Sequence, residues 1–179
     1  MAKEMICAGF GGQGVLTAGM ILINAGMELD KNVLFYPSYG SEMRGGTANC
    51  TVKISDGLIA SPISKNPDIL LTMNTPAIDK FEDQLKPGGL LLVNSSIVPE
   101  DRTYRDDIKV VKIPATDIAM EVNNPKGANL VMLGALAANS DLFTVDYLEK
   151  AIVSFFEKKG KGKFNEKNVA CYRRGVEGK

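Results

Sequence analysis

The 179-residue sequence contains no histidine, which removes imidazole acid–base chemistry and histidine metal ligation from this chain. Cysteine is scarce. Cys7, Cys50 and Cys171 lie far apart, form no CxxC pair and are too few for a four-thiolate iron–sulfur or zinc site. They read as small buried apolar residues, and no disulfide framework is expected. Net charge is also missing: 21 lysines and arginines balance 21 aspartates and glutamates. There is thus no global field to draw nucleic acid or an anionic membrane, and neither is expected as a partner. The longest apolar helical run, 130–138, is far short of the roughly 20 residues of a membrane span. No basic start, apolar core and small-residue cleavage site occur together near the N-terminus, so a cytoplasmic protein is expected. Repeats, low-complexity tracts and linkers are absent as well, and residues 1–179 read as a single domain.

What is present is an alternation of strand and helix patterns. Residues 5–8 form a short apolar run suited to a buried strand, and 15–29 is apolar on most faces, as a deeply packed helix is. A second strand is expected over 32–36, a long polar loop over 37–46, and a strand over 47–55 whose alternation gives it two unlike faces. Buried strands follow at 68–73 and 90–94, with another at 108–113. Thr75-Pro76 opens a helix with a capping residue and a first-turn proline, and residues 114–117 open a short one. From Asn129 onward the pattern is nearly all helical. This order predicts a three-layer α/β/α fold around a mainly parallel, Rossmann-like sheet, with a helical C-terminal third and a possible antiparallel section near 47–55.

Two stretches carry chemistry. Gly9, Gly11, Gly12 and Gly14 fall within "GFGGQG", between the first strand and the first helix. Glycines there permit positive φ and let a ligand approach the backbone, while the helix start favours an anion. A nicotinamide site also needs an acidic residue about 20 positions later. Here the second strand ends in Phe35-Tyr36-Pro37-Ser38, without a carboxylate. Another phosphate ligand, or a tight turn with no ligand, remains. The second stretch, "SYGSEMRGGTANC", offers hydroxyls, Arg44 and a glycine pair, and is either a surface loop or a second ligand loop at the same carboxyl edge of the sheet.

"GFGGQGVLTAG" followed by "YPSYGSEMRGGTANCTVKIS" strongly resembles the gamma subunit of 2-oxoacid:ferredoxin oxidoreductases. "NPDILLTMN", "KPGGLLLVNSS", "IPATDIAMEV" and "NLVMLGAL" are similar to that family in the same order, so the likeness spans residues 3–156. The resemblance implies one component of an enzyme that oxidatively decarboxylates a 2-oxoacid to an acyl-CoA and reduces ferredoxin. It places thiamine diphosphate, magnesium and 4Fe-4S clusters on alpha, beta and delta partner subunits, and coenzyme A on the gamma-type domain. Matched to this sequence, the implied contacts are Gly9, Gly11, Gly12, Gln13 and Gly14 of the first turn, then Ser41, Arg44, Gly45 and Gly46. Asn74 is a further candidate whose plainer reading is a turn-forming asparagine. No catalytic residue and no metal ligand is expected on this chain, nor activity without partners. The leaning is towards 2-oxoglutarate as oxoacid. The beta subunit of indolepyruvate oxidoreductase, a nucleotide-binding regulatory module and a purely structural subunit are the alternatives.

Two features stay open at this level. Lys158, Lys159, Lys161 and Lys163 form a basic run that is either a solvated helix end or a contact for phosphate or an acidic ferredoxin. The apolar run 130–138 is either an internal helix or one buried against a partner subunit.

Overall fold

The computed structural model describes residues 2–39 and 47–178, Tyr39 by its backbone alone. Six strands, β1 (Lys3–Phe10), β2 (Asn32–Tyr39), β3 (Thr47–Ser55), β4 (Ile69–Thr72), β5 (Leu90–Asn94) and β6 (Lys109–Ile113), form one sheet in the order β2-β3-β1-β4-β5-β6. β1, β4, β5 and β6 pair in parallel, while β3 runs against both β1 and β2. β2 therefore points the same way as β1, and the expected antiparallel section is one reversed strand.

The helices are α1 (Val15–Glu28), α2 (Thr75–Phe81), α3 (Ala115–Glu121), α4 (Ala128–Asn139), α5 (Val145–Lys158) and α6 (Asn165–Glu177). Strand alternation divides the core in two. Met5 and Cys7 of β1, Leu71 of β4 and Leu92 of β5 face a layer of α1, α3, α4, α5 and α6. Ile6, Ala8, Leu70, Leu91 and Val93 face α2 and the connection through Tyr104. The central strands are apolar on both faces because both are covered. The three layers are unequal, with five helices on one side and α2 on the other among the described residues.

Several boundaries differ from the sequence reading. Residues 37–39 belong to β2 and not to a loop, with Pro37 opposite Cys50. Proline lacks a ladder donor, but β2 is the edge strand, where this is tolerated. The cap of α2 is Asn74 rather than Thr75: its Oδ1 accepts from the Ala77 N–H at 2.9 Å. Of the two unlike faces of β3, the polar one is buried at Thr51, Lys53 and Ser55. Lys53 lies 3.0 Å from Glu4, donates to the Ile63 carbonyl at 2.9 Å, and Ser64 donates to Glu4 at 2.5 Å. A buried charge is tenable when paired and hydrogen-bonded in this way.

The apolar run 130–138 proves to be largely internal. Residues 128–137 of α4 are all buried within the chain itself. α4 crosses α6 backbone to backbone: a Cβ on Gly134 would stand 2.0 Å from the Tyr172 carbonyl oxygen, and one on Gly175 1.8 Å from that of Val131. Only glycine at both positions permits this approach. Tyr172, fully buried, donates to the Val145 carbonyl at 2.8 Å and ties α6 to α5.

Candidate functional site

β1 ends at Phe10, and the chain turns through Gly11, Gly12, Gln13 and Gly14 into α1 at the carboxyl edge of the sheet. Gly12 and Gly14 have φ of 98° and 75°, conformations that favour glycine. Gln13 folds back beneath the turn. Its Oε1 accepts from the Phe10 N–H at 2.7 Å and from Asn74 Nδ2 at 2.9 Å, and its Nε2 donates to the Met73 carbonyl at 3.2 Å. Gln13 and Asn74 thus join the end of β1 to the end of β4. Both ends of each amide are engaged within the protein, which leaves the backbone of the glycines as the surface the turn presents.

α1 has no side-chain cap and no acidic residue in its first turn. Its first amides and dipole therefore leave a positive end at Gly14. Asn129, at the start of α4, supports this end from behind. Its Nδ2 donates to the Gly14 carbonyl at 3.1 Å and its Oδ1 accepts from the Leu130 N–H at 3.0 Å. Asn129 is absent from the sequence-based contacts, although it opens the "NLVMLGAL" stretch that carries part of the family likeness.

Gly12, Gly14 and Thr17 form one wall of a cleft of 430 Å³. Asn124, Lys126 and Asn129 close it at the start of α4, and Phe156, Lys161, Phe164 and Asn168 close it between α5 and α6. Among the described residues no carboxylate lines it. Of the basic run, Lys158 is paired with Glu28 at 2.6 Å, Lys159 lies 4.3 Å from the Phe155 ring and Lys163 5.1 Å from that of Phe164. Lys161 lines the cleft.

The second candidate loop, with Ser41, Arg44, Gly45 and Gly46, lies outside the described residues. The strands that flank it end beside the first turn, with Phe10 opposite Thr47 and Tyr39 opposite Ala48. Asn74 is buried at the end of β4 on the same edge. The three cysteines are free and buried. The Cys50 thiol, directly opposite in the ladder, and burial push the Cys7 thiol well up, and burial raises that of Cys171. Raised in this way, the Cys7 and Cys171 thiols are poor nucleophiles. Among the described residues no group of three carboxylates or thiols is arranged to hold a metal ion, and no helix is long and apolar enough to cross a membrane.

Fold and site together define an open α/β domain with a glycine-rich helix entry at the carboxyl edge of its sheet. Residues 4–178 match the family model described as pyruvate ferredoxin/flavodoxin oxidoreductase. The chain is 40% identical over 179 residues to the 2-oxoglutarate synthase subunit KorC of Methanocaldococcus jannaschii, covering 99% of this chain and 94% of that one. The keto/oxoacid ferredoxin oxidoreductase gamma subunit of Geobacter sulfurreducens superposes with a TM-score of 0.81 at 31% identity, over 98% of this chain and 96% of its own. The chain belongs to the gamma-subunit family of the 2-oxoacid:ferredoxin oxidoreductases, and is a subunit of such an enzyme. A 2-oxoglutarate:ferredoxin oxidoreductase from Magnetococcus marinus, solved with 2-oxoglutarate, coenzyme A and succinyl-CoA bound, shares the fold with a TM-score of 0.86. At 22% identity, over 98% of this chain but 30% of that longer one, the likeness speaks for the fold alone.

Proposed function

We propose that this chain supplies the coenzyme A site of a cytoplasmic 2-oxoglutarate:ferredoxin oxidoreductase whose thiamine diphosphate, magnesium and 4Fe-4S clusters reside on alpha, beta and delta partners. The observation that carries this reading is the glycine turn itself. It presents backbone and an uncapped helix start to a cleft lined, among the described residues, by two lysines and no carboxylate. That surroundings suit the phosphates of coenzyme A, and the missing ribose-binding carboxylate argues against a nicotinamide dinucleotide. Ser41, Arg44, Gly45 and Gly46 are assigned to the same ligand, because their flanking strands end beside Phe10. The likeness to KorC supports 2-oxoglutarate as the oxoacid.

The test is steady-state titration of coenzyme A in the assembled enzyme. A Cβ on Gly12 enters open space, so Gly12→Asp adds a charge at the helix entry without a packing clash, and Gly12→Ala is the control for the backbone strain that any side chain meets at its φ of 98°. Arg44→Ala removes a charge-assisted contact, on the order of 1.5–3 kcal/mol, and should weaken coenzyme A roughly ten- to a hundredfold. Both variants should raise the apparent KM for coenzyme A while oxoacid binding persists. Unchanged coenzyme A dependence in both would place the ligand elsewhere.

A further inference from the structure

Across the cleft from the glycine turn stands a wall built from the end of α5, the 3-10 turn Gly162–Phe164 and the start of α6. Three of its residues are not accounted for by packing. Phe164 is a large apolar side chain left 49% exposed at the cleft. Lys161 lines the cleft and has no ion pair among the described residues, unlike Lys158, which is bound to Glu28. Asn168 is only 5% exposed; its Oδ1 accepts from Asn124 Nδ2 at 3.0 Å, yet its own Nδ2 has no hydrogen-bond partner among the described residues. Buried donors without an acceptor are rare in folded proteins and call for an explanation. An anionic oxygen in the cleft would supply the missing acceptor.

An exposed aromatic ring, an ammonium and an amide donor without partners among the described residues, in a cleft where those residues place no carboxylate, match the parts of a nucleotide. Bases of any kind stack on aromatic side chains, and phosphates seek cations and N–H donors. We infer that the α5–α6 wall is a nucleotide-end subsite, in which Phe164 stacks the base while Lys161 and the Asn168 amide take phosphate oxygens. This rests on the reading that coenzyme A binds at the glycine turn. It adds that the adenosine phosphate portion, rather than the pantetheine arm, lies against α6.

Calorimetric titration of the assembled oxidoreductase with coenzyme A, ADP and pantetheine separates the possibilities. Phe164 and Lys161 are both exposed, so Phe164→Ala and Lys161→Gln should leave the fold and its melting temperature intact. Each is expected to weaken coenzyme A and ADP about tenfold, with pantetheine unaffected. Unchanged affinity for coenzyme A and ADP in both variants overturns the subsite, as does an equal loss for pantetheine. If Gly12→Asp still weakens coenzyme A in that case, the parent reading survives. If ADP binding depends on Phe164 and Lys161 while coenzyme A ignores Gly12→Asp, the subsite stands and the parent reading falls.

Discussion

Gln13 sits in the middle of the glycine turn and serves it as an internal brace. Its amide satisfies the Phe10 N–H, the Met73 carbonyl and Asn74 at once. Gln13→Leu keeps the bulk but leaves these partly buried groups without partners, at about 1–3 kcal/mol for each that water cannot reach. A loss of about 2 kcal/mol or more is expected in urea unfolding, and a wild-type midpoint would mean that the turn is held by other means. At this scale the sequence is legible where chemistry forces composition. The glycines at 12 and 14 could be read because positive φ excludes most other residues. The tasks of Gln13 and Asn129 could not, because their partners lie 60 and 115 positions away and no local pattern announces them.

Among the elements, the α4–α6 crossing is the most tightly constrained. A Cβ on Gly175 would meet the carbonyl of Val131, and backbone atoms cannot rotate aside as a side chain can. Gly175→Ala must therefore separate the helices, at about 3 kcal/mol. Gly57→Ala, whose Cβ meets nothing within 4 Å, is the control and should stay within about 0.5 kcal/mol. Thermal unfolding of both variants checks the contrast, and equal midpoints would contradict it. The apolar periodicity of α4 marks a buried helix but not its cover. Whether the sheet and α6 or another subunit hides it depends on contacts formed between distant parts of the chain. For the same reason the end of β2 escapes the sequence: Pro37 looks like a breaker until the strand is known to lie at the sheet edge.

At the scale of the whole molecule, charge is balanced at neutral pH, and several carboxylates sit beside cations. Hydrogen bonds from Lys31, Arg105, Lys3 and Arg173 hold the carboxyls of Asp56, Asp107, Asp141 and Glu149 below the usual range. A carboxyl lowered in the folded state stabilises it fully above the ordinary pKa of about 4, and that stabilisation is lost as pH falls through the folded value. Protonation of all carboxylates would also leave 21 cations unopposed. The melting temperature should be flat between pH 5 and 7 on this account and fall steeply below about pH 4; a flat profile down to pH 3 would contradict it. The cleft carries a different consequence, one of timing. Its first wall is made of residues 12–17 and its last of residues 156–168. During vectorial synthesis the glycine turn leaves the ribosome long before the helix that faces it, so the cleft cannot close around any molecule until the chain has emerged through Asn168.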